Sequence, residues 1–322
     1  MQIPKRLAGW SRTRGPLSVL LAAAVAGNAL AQPDGDILPP GILARGEGTG
    51  DWPVIVAVAV PDLRTHTLYY PATMGDVALP LVVWGNGGCR DNGLAYGVFL
   101  GEIASHGYFV VALGSPRAPA PEAGAAQAAG VTPPPRGADP TQAEQMREAI
   151  GWATRHNANG HSPYYGHIDV DKVGVFGHSC GGLQAIKTAA DPRVTTGLFM
   201  NSGIITAGPA EGPMGIRVTK DELRNFHTAV AYITGGRSDV AHENSIDDVS
   251  RIQHVPVLFA YDRSGHGGTY FSQKDGGDYA EIAVAWFDWQ LRGDAEAAAM
   301  FLGEECGLCE KRRWTVARQP SR

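Results

Sequence analysis

The run Val173-Gly174-Val175-Phe176-Gly177-His178-Ser179-Cys180-Gly181-Gly182 reads as a buried strand that breaks at Gly-x-Ser-x-Gly and resumes as a helix near Gly182. Small residues two positions either side of the serine suit so sharp a strand-to-helix turn, because a Cβ there would collide with its neighbours. Such a turn lifts the Ser179 hydroxyl clear of the sheet. It also puts the Cys180 N–H at a helix amino terminus, aimed where a carbonyl oxygen gains charge during nucleophilic attack. In a chain with 42 glycines the pentapeptide alone is a modest signal. Its strand-turn-helix setting is what makes Ser179 a candidate nucleophile.

Outward from this run, short segments rich in Val, Ile and Phe alternate with helix-like ones from residue 53 onward. Strands are expected at 53–60, 66–70, 79–84, 108–113, 173–177, 197–201, 229–234 and 255–261. Helices are expected at 94–106, 141–156, 182–190, 220–226, 241–252 and 279–291. The alternation predicts an α/β fold with a mostly parallel central sheet of about eight strands and helices on both faces. Residues 115–140 are too rich in proline for a helix and too small in side chain for a core, and 203–219 form a second Gly- and Pro-rich loop. Both loops leave the carboxyl edge of the sheet, where open α/β folds bind ligands. Residues 115–140 fit either a site rim or a surface insertion.

A serine hydroxyl is a weak nucleophile and needs a base and a group to orient that base. After Ser179, the strand at 229–234 runs into Gly235-Gly236-Arg237-Ser238-Asp239, and the strand at 255–261 runs into Asp262-Arg263-Ser264-Gly265-His266. Asp239 and His266 therefore follow successive strands at the edge where Ser179 must stand. The assignment is Ser179 as nucleophile, His266 as base and then acid, and Asp239 as orienter. His242 and Asp262 also lie near strand ends and compete for these roles. His156, His161, His167, His227 and His254 belong to the opposite edge, and no metal site is expected among them. The glycine loop Gly85-Asn86-Gly87-Gly88-Cys89 follows the strand at 79–84 and is the expected source of the second oxyanion donor, Gly87 or else Gly88, beside Cys180. Trp84 and Tyr270 are candidate substrate contacts, as are Tyr96 and Phe271. Tyr279, Trp286 and Trp289 read as packing on the last helix.

The first residues are set apart from this domain. Lys5, Arg6, Arg12 and Arg14 precede an apolar run over 16–27, and Ala29-Leu30-Ala31 has the small-x-small pattern of a signal-peptidase site. The expectation is a signal peptide, 1–31, cleaved after Ala31, followed by a single catalytic domain over 32–322. The apolar run falls short of the roughly 20 residues that a membrane span needs. Without residues 1–31 the chain keeps 23 basic and 32 acidic residues, a formal charge of −9, which disfavours nucleic acid and anionic membranes as partners. The expected product is a monomer, periplasmic or secreted. In an oxidising compartment the four cysteines can bridge, and Cys89–Cys180 with Cys306–Cys309 is one of three pairings. A Cys89–Cys180 bond would tie the two halves of the oxyanion site together; buried free thiols are the alternative.

The stretches Leu81-Val82-Val83-Trp84-Gly85-Asn86-Gly87-Gly88, Ile103-Ala104-Ser105-His106-Gly107-Tyr108 and Gly177-His178-Ser179-Cys180-Gly181-Gly182, together with Asp239 and Gly265-His266, resemble secreted α/β-hydrolases of the dienelactone-hydrolase and cutinase-like polyesterase group. The resemblance spans roughly residues 53–292. It implies an α/β-hydrolase fold and hydrolysis of a small or polymeric ester through an acyl-enzyme, with no cofactor. Two positions depart from the pattern: dienelactone hydrolases use a cysteine where this chain has Ser179, and the polyesterases usually carry a bulky aromatic at Gly87. A serine peptidase or amidase would use the same triad, and a binding protein on a catalytically dead scaffold is a third reading.

Overall fold

The computed structural model describes residues 37–117, 140–206 and 215–319. The expected signal peptide and much of the two expected loops, 118–139 and 207–214, lie outside them. The described residues build one ten-stranded sheet in the order β1-β2-β3-β5-β4-β6-β7-β8-β9-β10. The strands are β1 Gly41–Glu47, β2 Val54–Ala59, β3 His66–Pro71, β4 Leu79–Gly85, β5 Phe109–Leu113, β6 Ile168–His178, β7 Thr196–Met200, β8 Val230–Thr234, β9 Val257–Tyr261 and β10 Thr315–Gln319. β5, β4, β6, β7, β8 and β9 pair in parallel. β1, β2 and β3 add antiparallel on one side and β10 on the other.

All eight expected strands form. The sheet is nevertheless larger and more mixed than expected, because β1 and β10 extend it at its two edges. β1 is mostly exposed and carries Arg45 and Glu47, which suits a strand with one unpaired edge. It therefore lacks the continuous apolar run of the interior strands, which are buried on both faces. Alternate residues of these strands feed two cores: Val83, Val111, Val175 and Phe199 face one, and Val82, Val110, Phe176 and Leu198 the other.

Helices α1 (Gly97–Ser105), α2 (Ala143–Ala158), α3 (Cys180–Thr188), α4 (His242–Arg251) and α5 (Gly277–Arg292) cover the sheet, with the short α6 (Ala295–Ala298) and α7 (Gly307–Glu310) after them. The expected helix at 220–226 is a 3-10 helix, Lys220–Asn225. α5 buries Tyr279, Ile282, Ala283, Trp286 and Phe287, one apolar stripe at helical spacing, and stops at Gly293 in the left-handed conformation. Phe99, Leu100 and Ile103 of α1 enter the same core as α5. Met146, Ile150 and Trp152 of α2, with Leu183 and Ile186 of α3, enter the other.

β4 and β6 are neighbours, yet the chain leaves β4 toward α1 on one face and leaves β6 toward α3 on the other. A crevice opens where such connections diverge, and it opens at the carboxyl ends of both strands. Its floor is backbone packed on backbone. A Cβ on Gly181 would fall 2.0 Å from the carbonyl of Gly85, and one on Gly177 would fall 2.4 Å from that of Gly181. Neither contact can be relieved by turning a side chain, so Gly181→Ala is expected to lower unfolding free energy by roughly 3 kcal/mol or more. Urea denaturation checks this, and a loss below about 1 kcal/mol would contradict the contact.

Candidate active site

Ser179 occupies a left-handed turn between β6 and α3, with φ 55° and ψ −118°. A non-glycine residue held there is strained, and the surroundings must impose the conformation. Its N–H donates to the Met200 carbonyl at 3.0 Å and its carbonyl accepts the Leu183 N–H at 3.2 Å. The Ser202 hydroxyl donates to the same carbonyl at 2.8 Å. Held this way, the Ser179 hydroxyl lies 2.8 Å from Nε2 of His266. Nδ1 of His266 lies 2.6 Å from Oδ1 of Asp239. The three residues assigned from their order along the chain are thus brought into one hydrogen-bonded line.

The Asp239 carboxylate is buried and fully engaged. Besides His266 it accepts the N–H of Ala241 at 2.9 Å, the N–H of Gly235 at 3.1 Å and an amide proton of Asn201 at 2.9 Å. Burial pushes its pKa up, but these bonds outweigh burial and hold it down at about 2. It therefore remains an anion in which each oxygen has two donors. His242 instead meets the Thr234 hydroxyl, and Asp262 accepts the N–H and hydroxyl of Ser264 within its own loop. Neither competitor takes part in the line.

The loop after β4 is shaped by Asn86, which is fully buried. Its amide donates to the carbonyls of Arg90, Asn92 and Leu113, and its oxygen accepts the Trp84 indole N–H at 2.8 Å. Gly87 is buried inside this loop, where an added Cβ would strike His178 and Tyr96. Gly88 is the glycine that reaches the space in front of Ser179. With Cys180, Leu183, Ile205, Val240 and His266 it lines a mainly apolar cavity of about 120 Å³. Of the two glycines expected as donors, Gly88 lines this cavity and Gly87 does not. Two larger grooves elsewhere on the described surface are lined by neither Ser179 nor His266. Cys89 and Cys180 are bonded, with Cα atoms 5.2 Å apart, so the loop after β4 is covalently joined to the residue after Ser179. Cys306 and Cys309 form the second bridge.

Two expected substrate contacts are corrected. Trp84 is 0% and Tyr270 1% exposed, and both are packed among aromatic rings behind the site. Their polar atoms point to asparagines, Trp84 to Asn86 and Tyr270 to Asn201 at 2.9 Å. Of the other aromatics, Tyr96 is buried while Phe271 is 68% exposed. The wall in front of Ser179 comes instead from the segment after β7. α4 tethers that segment: the Ser245 hydroxyl donates to the Ser202 carbonyl at 2.7 Å, and Asp248, paired with Lys220 at 2.5 Å, accepts the Ile204 N–H at 2.8 Å.

His178, the variable residue of the Gly-x-Ser-x-Gly motif, was not assigned a role from the sequence. Its Nε2 donates to the His266 carbonyl at 2.8 Å and its Nδ1 faces the Tyr96 hydroxyl at 2.7 Å. Burial, helped by the neighbouring His266, lowers its pKa to about 4, so the ring is neutral. Its position beside the serine was the one available signal. Among the described residues no three His, Cys, Asp or Glu side chains gather as metal ligands, and no helix is long and apolar enough to cross a membrane. No protein-family model matches the chain, and no curated protein matches it.

His66 is a second buried neutral imidazole, bonded to the Gln145 carbonyl and lowered to about 4 by burial. Unfolding lets both rings take up a proton near their ordinary value of 6.5. The stability they contribute is thus complete above pH 6.5 and is lost as the pH falls toward 4. Asp248 works the other way: burial raises it to about 6, so its ionisation costs stability as the pH rises through 3.8 to 6. The two imidazoles outweigh the one carboxyl, and unfolding free energy is expected to drop by roughly 3 kcal/mol from pH 7 to 4.5. Urea denaturation at the two pH values checks this, and a protein equally stable at both would refute it.

Proposed function

We propose that this protein is a serine carboxylic ester hydrolase of the α/β-hydrolase fold, akin to the dienelactone-hydrolase and cutinase-like group and exported from the cytoplasm. The observation that carries the reading is the continuous line from the Ser179 hydroxyl through His266 to Asp239, at 2.8 and 2.6 Å, opening on a cavity. Nothing but proton transfer is needed to make that hydroxyl a nucleophile.

The chemistry follows from the donors. Nε2 of His266 accepts the Ser179 proton as Oγ attacks the ester carbonyl, and Asp239 stabilises the imidazolium that forms. Charge developing on the carbonyl oxygen is met by the N–H groups of Cys180, first residue of α3, and Gly88. The imidazolium then protonates the departing alkoxide, leaving an acyl group on Oγ, and water reverses the sequence to free the acid. Leu183, Ile205 and Val240 give the cavity an apolar wall of small extent, which suits a short or compact acyl group. The disulfide joining the two donor segments favours an oxidising compartment as the place of action.

The test is turnover of p-nitrophenyl acetate beside p-nitroacetanilide, with Ser179→Ala as control. The ester is expected to be cleaved, the anilide far more slowly, and the variant to lose roughly ten-thousand-fold or more in kcat. Preference for the anilide would make the protein an amidase. Equal turnover by Ser179→Ala, or fluorophosphonate labelling at another residue, would remove Ser179 from the reaction.

A further inference from the structure

The backbone of His266 is held on both sides. The carbonyl before it, on Gly265, accepts an amide proton of Asn201 at 3.1 Å. Its own carbonyl accepts Nε2–H of His178 at 2.8 Å. Asn201 also donates to Oδ2 of Asp239, so one amide serves the acid and the base's loop together. Both holders are chemically ambiguous: an amide can turn its oxygen where its nitrogen stands, and an imidazole can carry its proton on either nitrogen.

Two buried tyrosine hydroxyls remove the ambiguity. Tyr270 O–H donates to Oδ1 of Asn201 at 2.9 Å, which leaves Nδ2 facing Asp239. With the amide reversed, an oxygen would face the carboxylate and the Tyr270 proton would lose its acceptor. Tyr96 O–H donates to Nδ1 of His178, which leaves the proton on Nε2, toward His266. The two tyrosine rings meet edge to face, 5.4 Å apart, so the hydroxyls are carried by one packed unit. Asn201 is itself left-handed, with φ 46°. Glycine would make that turn without a donor, and aspartate would set a second carboxylate against Asp239.

We propose that Asn201 and His178, fixed by Tyr270 and Tyr96, are positioning residues that hold Asp239 and the His266 backbone in reactive register. The inference rests on the reading of Ser179, His266 and Asp239 as a hydrolytic triad. Among the described residues the titratable groups facing the His266 ring are Asp239 and, 5.1 Å away between centroids, His178.

The experiment uses the whole protein and the variants Tyr270→Phe and Asn201→Gly. For each, kcat, KM and the pH profile of kcat/KM are measured on p-nitrophenyl acetate, and the downfield proton resonance of His266 Nδ1–H is recorded by NMR. Tyr270→Phe is expected to lower kcat about tenfold and Asn201→Gly about a hundredfold, the range spanned by hydrogen bonds to charged groups, with KM unchanged. The acidic limb of the profile should move to higher pH, because a carboxylate short of one donor holds the imidazolium more tightly. The Nδ1–H resonance should move with it. A folded variant with an unmoved limb and resonance overturns the proposal, even if its kcat falls with its melting temperature. If Asn201→Gly does not fold, Tyr270→Phe, which deletes one oxygen, decides alone. Should the unaltered protein cleave no ester, the hydrolase reading fails, while the resonance still tests whether the tyrosine-fixed contacts govern the Asp239–His266 bond.

Discussion

The contact on which the site is built is between two main chains. Gly85 at the end of β4 and Gly181 in the first turn of α3 touch with no side chain between them. That contact lets the loop after β4 lie against the turn at Ser179, so that two segments from opposite sides of the switch in chain direction face one space. Strain collects around it: of the four non-glycine residues with positive φ among the described residues, Cys89, Ser179 and Asn201 each follow the carboxyl end of a sheet strand. Such conformations persist only where their surroundings over-determine them. Here a disulfide, the hydroxyls of Ser202 and Tyr270, and the Trp84 indole fix the three turns and the loop that leads to them.

The second feature of the site is how much polarity is buried to hold it. Asn86, Asn201, His178, Asp239 and Asp248 are all removed from water. A buried polar group costs little only when its partners are complete, and partial satisfaction would be worse than an apolar core. Asn86 and Asn201 solve this alike: an amide spends its protons on loop acceptors while one aromatic donor, Trp84 or Tyr270, fixes its oxygen. The aromatic core behind the crevice is thereby more than packing. It carries the N–H and O–H groups that decide which way each amide points.

Much of this was legible in the sequence, and the reasons are specific. Strands buried on both faces write themselves as apolar runs, so β2 to β9 could be placed, and the edge rule then put Ser179, Asp239 and His266 together. β1 and β10 escaped because an edge strand needs no apolar run. Gly87 and Gly88 are not told apart by the sequence, since which of two adjacent glycines reaches the crevice depends on how Tyr96 and His178 pack behind it. Trp84 and Tyr270 lie near the crevice as expected but point away from it. The side of the sheet is read less surely at a strand's end, where Trp84 sits, and the direction of Tyr270, in the turns after β9, is set by its bond to Asn201. Asn201 offers no motif: its role comes from neighbours at positions 239, 265, 270 and 279.

The Cys89–Cys180 bond spans 91 positions and encloses α1, β5, α2 and the whole of β6. The bond lies just beyond the ends of β4 and β6, whose pairing is one of the longest-range contacts of the sheet's centre. Contacts so distant in sequence are the slow ones to find, since loop-closure entropy must be met before they return any energy. An oxidised chain retains this one when everything else has melted. Its unfolded state thus remembers which two strands belong side by side, and a search for the native topology would resume from its hardest step already taken.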